Sequence, residues 1–111
     1  MATDPTGFSI STSDLDGRVV VVVRGELDLA TAPDLEEVVV GQLDAGQHVV
    51  VDLRELEFMD SSGLRVLVTA HTRSEDHGPR FEIVRPRKGS EVAKILTIAG
   101  IDQTLHLVDE P

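Results

Sequence analysis

Two apolar runs limit what this chain can become more than any other feature. Val19 to Val23 is unbroken valine, and His48-Val49-Val50-Val51-Asp52-Leu53 repeats the theme further on. A β-branched run without polar alternation reads as a strand covered on both faces. Both runs are therefore expected as central strands, and the segments between them have to supply the cover.

Those segments read as helices. Thr31 and Asp34 stand at capping-box spacing with Pro33 in the first turn, and Leu35, Val38, Val39 and Leu43 then mark one helical face that Gly46 ends. A second helix is expected from Asp60 to about Arg73, followed by a polar loop from Ser74 to Pro79. Phe81 to Val84 reads as a strand. Glu91 to Ala99 reads as a helix stopped by Gly100, and Leu105 to Val108 as a short edge strand. At the front, Phe8-Ser9-Ile10-Ser11 alternates, and turn residues Asp14 to Gly17 lead into the first valine run as a hairpin. The expectation is a single α/β domain over residues 8–111 behind a flexible tail, residues 1–7. Its mixed, mainly parallel sheet has about five strands, an opening antiparallel hairpin and three helices joined by right-handed crossovers.

Composition narrows the function. Twenty acidic residues against ten basic give a net charge of −10, which repels nucleic acid and anionic membranes and favours protein partners with basic faces. Cysteine is absent, which removes disulfides and thiol chemistry, and no stretch has the about 20 apolar residues of a spanning helix. A cytoplasmic protein without membrane insertion is expected. Neither G-x-x-x-x-G-K-[ST] nor G-x-G-x-x-G occurs, so no cofactor is expected. No pair among His48, His71, His77 and His106 has i, i+4 spacing, so no metal site is expected either.

The chemistry concentrates in Phe58-Met59-Asp60-Ser61-Ser62-Gly63-Leu64. Asp60 suits an N-cap accepting from the N–H of Ser62 or Gly63, with Met59 and Leu64 as a hydrophobic staple. A helical wheel puts Ser61 with Leu64 and Val68, and Ser62 with Arg65, Val66 and Thr69, so Ser62 is expected to face outward. Its hydroxyl has three readings: a plain capping turn, a nucleophile, or a phosphate acceptor. The nucleophile lacks the flanking glycines of G-x-S-x-G. In a parallel sheet the loops leaving the carboxyl ends of strands share one edge. If the two valine strands pair, Asp28, Thr31, Asp60, Ser61 and Ser62 fall on one patch.

Gly25-Glu26-Leu27-Asp28 with Thr31-Ala32, then Val51-Asp52-Leu53, then Phe58 to Leu64, resembles the anti-sigma factor antagonist family, whose members are STAS domains. The similarity covers roughly Phe8 to Val108. It implies a STAS-like fold, here without the further helix the family carries after its last strand. It implies a non-enzymatic, partner-switching regulator of transcription in the stress response. Unphosphorylated, such a protein binds an anti-sigma factor that is also a serine kinase and so releases a sigma factor. Phosphorylation on the second serine of the motif, Ser62 here, undoes the binding, and a serine phosphatase resets it. Expected partner contacts are Asp28, Thr31, Asp60, Ser61, Gly63, Arg65 and Val66. The alternative is an unphosphorylated STAS adaptor on a membrane-transport ATPase or a signalling assembly.

Overall fold

The computed structural model describes residues 2, 3, 7–78 and 80–111. Its elements in chain order are β1 (Ala2–Thr3), β2 (Ser9–Leu15), β3 (Arg18–Leu27), α1 (Ala32–Asp44), β4 (His48–Asp52) and β5 (Leu56–Met59). They continue with α2 (Ser61–His77), β6 (Phe81–Val84), α3 (Glu91–Ile98), a 3₁₀ turn (Ile101–Gln103) and β7 (Leu107–Val108).

The expected hairpin forms. Asp16 and Gly17 both have positive φ, 51° and 81°, the geometry of a two-residue loop whose twist matches its strands. β2 and β3 then run antiparallel from Leu15↔Arg18 to Ser9↔Arg24. From β3 onward the pairing is parallel, in the order β3-β4-β6-β7, with Val19↔Val49 and Val21↔Val51 joining the two valine runs. Each crossover steps one strand in the same direction across the sheet. Right-handed connections that do so put every helix on one face. The buried residues agree: Leu35, Val39 and Leu43 of α1, Val66, Leu67 and Ala70 of α2, and Val92 and Leu96 of α3 share one core with Val19, Val21 and Val23. The opposite face holds a smaller cluster of Val20, Val50 and Val84, so the valine runs are buried on both sides by unequal covers.

Several expectations change. β3 continues past its valine run to Leu27, across a register shift between Gly25 and Glu26. Gly25 permits this: its φ is +90°, and a Cβ there would stand 2.8 Å from the Phe8 Cα. The extended half of β3 pairs with β5, which resumes the lane that β4 leaves and is a strand beyond the five expected. Ala2–Thr3, assigned to the flexible tail, pair antiparallel with Ser9 and Ile10, whereas Met1 and Asp4 to Thr6 lie outside the described residues. α2 runs through the expected polar loop to His77; within that stretch Ser74 is buried and donates its hydroxyl to the His71 carbonyl at 2.8 Å, so its polar group is satisfied inside the helix. Pro79, the last residue of that loop, is also outside the description.

Candidate functional site

The carboxyl ends of β3 and β5 are neighbours, and the backbone N–H of Asp60 donates to the Leu27 carbonyl at 3.2 Å. Asp28 and Asp60 therefore leave adjacent strands at one edge, through β5 and not directly through β4.

Asp28 organises the first loop. Its carboxylate accepts from the N–H groups of Ala30 (3.0 Å) and Thr31 (3.2 Å), and its carbonyl accepts from Thr31 and Ala32. This is a side chain closing its own turn. The Thr31 hydroxyl is tied from three sides: it accepts from the Asp28 N–H at 2.9 Å, donates to the Glu26 carbonyl at 2.9 Å and lies 3.2 Å from the Asp28 carboxylate. Thr31 precedes α1 but makes no side-chain cap, so the expected capping box with Asp34 does not form. Its oxygen is already committed to the strand end.

Asp60 caps α2 as expected. It is extended, and its carboxylate accepts from the Ser62 N–H at 2.8 Å, while its carbonyl accepts from Gly63 and Leu64. Ser61 and Ser62 thus form the first turn, and neither hydroxyl has a hydrogen-bond partner among the described residues.

The azimuth of α2 differs from the wheel. Its buried stripe is Gly63, Val66, Leu67, Ala70 and Ser74, about one residue step (roughly 100°) from the face predicted by Leu64, Leu67 and Val68. Gly63 explains the offset. A Cβ there would meet the Met59 Cγ at 2.5 Å and the Leu27 Cδ2 at 2.8 Å, so the helix seats its smallest residue on the strand ends. Ser61, Arg65, Val68 and Thr72 become the exposed stripe. Ser62 is half-buried on a flank shared with Thr69 and Arg73, and Arg73 reaches Asp44 at 3.1 Å, so that flank borders α1. Ser61, not Ser62, is the more exposed serine.

Of the expected contacts, Asp28, Asp60, Ser61 and Arg65 share accessible surface around Ser62. Thr31, Gly63 and Val66 are buried. Sequence reasoning passed over Leu29, 78% exposed at the tip of the Asp28 loop, and Val68, 42% exposed on the outer stripe of α2. An apolar side chain between Asp28 and Ala30 was the available signal for Leu29.

Among the described residues, no histidine is hydrogen-bonded to either serine hydroxyl. Of the two histidines on the same helix, the nearer, His71, lies nine residues beyond Ser62, about 14 Å along the axis. No helix among the described residues is long and apolar enough to cross a membrane.

A mixed, mainly parallel sheet with its helices on one face, presenting a capped serine turn beside an aspartate-closed loop, defines a single α/β domain of one architectural class. Residues 9–110 match the model of the STAS domain, and the chain belongs to that family, among its anti-sigma factor antagonists. It is 31% identical over 105 residues to the anti-sigma-F factor antagonist RsfB of Mycobacterium tuberculosis, covering 93% of this chain and 83% of that one. The anti-sigma-B factor antagonist of Staphylococcus epidermidis is 31% identical over 101 residues, 90% of this chain and 92% of the other. A crystal structure of an anti-sigma factor antagonist from Mycobacterium paratuberculosis superposes with a TM-score of 0.83 at 28% identity, covering 98% of this chain and 92% of that one.

Proposed function

We infer that this protein is a non-enzymatic, cytoplasmic partner-switching regulator. Unphosphorylated, it binds an anti-sigma factor that is also a serine kinase and so frees a sigma factor for stress transcription. Phosphorylation on Ser62 ends the binding, and a serine phosphatase restores it. The observation that supports this reading is the Asp60-capped first turn of α2, where the half-buried Ser62 has a hydroxyl without a hydrogen-bond partner among the described residues and Arg65 follows three residues on.

The energetics favour a switch at this spot. Phosphate brings about −1.5 to −2 charges and three acceptor oxygens. On the free protein the positive end of α2 and Arg65, one turn along, offset part of that charge. Against a partner the balance reverses, because a dianion added between Asp28 and Asp60 must be desolvated inside the contact. A loss of several kcal/mol in binding is expected, the order found for an unpaired interfacial charge.

The test is incubation with ATP and the candidate kinase, followed by mass mapping. One phosphate on Ser62, lost in Ser62→Ala, is the expected result. Because Ser61 is the more exposed hydroxyl, Ser61→Ala is run beside it. Labelling that survives Ser62→Ala and disappears in Ser61→Ala moves the acceptor by one residue, and labelling of neither rejects the switch. Recovery of transport-ATPase subunits in place of a kinase from the native cell favours the adaptor.

A further inference from the structure

At the far end of α2 from the serines, three side chains from two distant segments converge. His71 and Glu75 stand at i, i+4 on α2, so both project from one side of the helix. His106 comes from the segment leading into β7, and its carbonyl accepts from the Ile83 N–H at 2.9 Å, which fixes its backbone in register with β6. The Glu75 Oε1 lies 3.6 Å from the His71 Nε2 and 3.8 Å from the His106 Nε2. Each residue has a donor atom within 4.8 Å of those of the other two. The imidazoles are tilted by 52° at a centroid separation of 5.6 Å, so they do not stack and both address the carboxylate.

We propose that His71, Glu75 and His106 form a binding site for one divalent transition metal ion of the zinc class. Two imidazoles and a carboxylate are a ligand set that zinc, cobalt and nickel accept, whereas calcium and magnesium prefer oxygen alone. Bonds of about 2.0–2.2 Å in a tetrahedron put neighbouring ligand atoms roughly 3.4 Å apart. The observed separations therefore close onto an ion by small side-chain rotations. Glu75 and His106 are exposed and free to make them, while the His71 ring, only 14% exposed, is the rigid wall.

The same ring limits the affinity. Its Nδ1 is enclosed without a hydrogen-bond partner among the described residues, so the acceptor that normally orients a ligating histidine is missing. Absence of that support costs roughly 10- to 100-fold in metal affinity. The site is one of micromolar, not nanomolar, order. Bound metal straps the end of α2 to the strand edge at β7. The fourth position is left to water or to a side chain from another molecule.

The test is zinc titration of the whole chain by calorimetry, with cobalt absorption as a report of tetrahedral geometry. One ion per chain is expected, with a rise in Tm of about 5 °C or more at a hundredfold excess over Kd. The exposed variants His106→Ala and Glu75→Gln should each weaken binding at least about tenfold while leaving the circular dichroism unchanged. His48→Ala, whose ring pairs with Glu82 instead, should bind as the parent does. The proposal is overturned if the parent takes up no zinc at about 100 μM, or if both exposed variants bind as tightly as the parent.

Discussion

At the scale of single residues, the serine turn and the Asp28 loop beside it rest on two buried positions. Gly63 is the first. Alanine is the better helix former by about 1 kcal/mol, but its Cβ would collide with Leu27 and Met59, which are themselves buried and cannot retreat. Overpacking wins, and Gly63→Ala should destabilise the fold by about 1–3 kcal/mol in urea unfolding; a gain in stability would refute the seating argument. Thr31 is the second. Thr31→Val keeps the volume but strands the Asp28 N–H and the Glu26 carbonyl, at about 1–3 kcal/mol. Thr31→Ser keeps the hydroxyl, so it should recover most of the stability and of the partner affinity. Equal losses in the two variants would show that the methyl group, and not the oxygen, is what matters. The sequence made both positions visible as members of a motif, but not the close packing of Gly63 or the strand-end hydrogen bonds of Thr31, which form in place of the expected capping box. A wheel weights large apolar side chains and cannot see that a glycine marks the closest approach.

At the scale of elements, the second valine run, α1, β6 and α3 stand within a residue or two of their expected places, while the first valine run was legible as a strand but not in its extension to Leu27. β5 was not. Its burial runs Leu56 in, Glu57 and Phe58 out, Met59 in, which breaks the period of two, and it pairs beyond a bulge in β3 that no local pattern announces. The link from β4 to β5 carries its own anchor. The buried Asp52 receives the Arg54 guanidinium at 2.8–3.2 Å and the Arg54 N–H at 3.0 Å, and this hydrogen-bonded carboxylate holds the guanidinium above its ordinary pKa. Arg54→Ala leaves Asp52 with one backbone donor and should cost about 1–3 kcal/mol in urea unfolding. Arg54→Lys should restore only part of it, since an ammonium cannot make the forked contact. Full rescue by lysine would mean that charge alone suffices.

At the scale of the whole molecule, charge is unevenly spread. Arg54, Arg85, Arg87, Lys88 and Lys94, half of the chain's ten cations, border one cavity of about 730 Å³ beside α3 and β7, away from the serines. What remains around the serine turn is dominated by acid, with Asp28 and Asp60 flanking and Arg65 as its near cation. Association with a basic partner should therefore slow as salt rises from about 50 to 200 mM, with dissociation changing less. Stopped-flow rates indifferent to salt would mean that docking is steered by Leu29 and Val68 instead.

The close seat of Gly63 also bears on how the proposed phosphate on Ser62 would be read. A helix wedged against two immobile side chains has no room to slide or roll, so a new charge on its first turn finds no lever to pull. Modified and unmodified chains should superpose, with amide exchange in the core unaltered. What changes is the outline that an approaching molecule feels: the information stays on the skin of the domain.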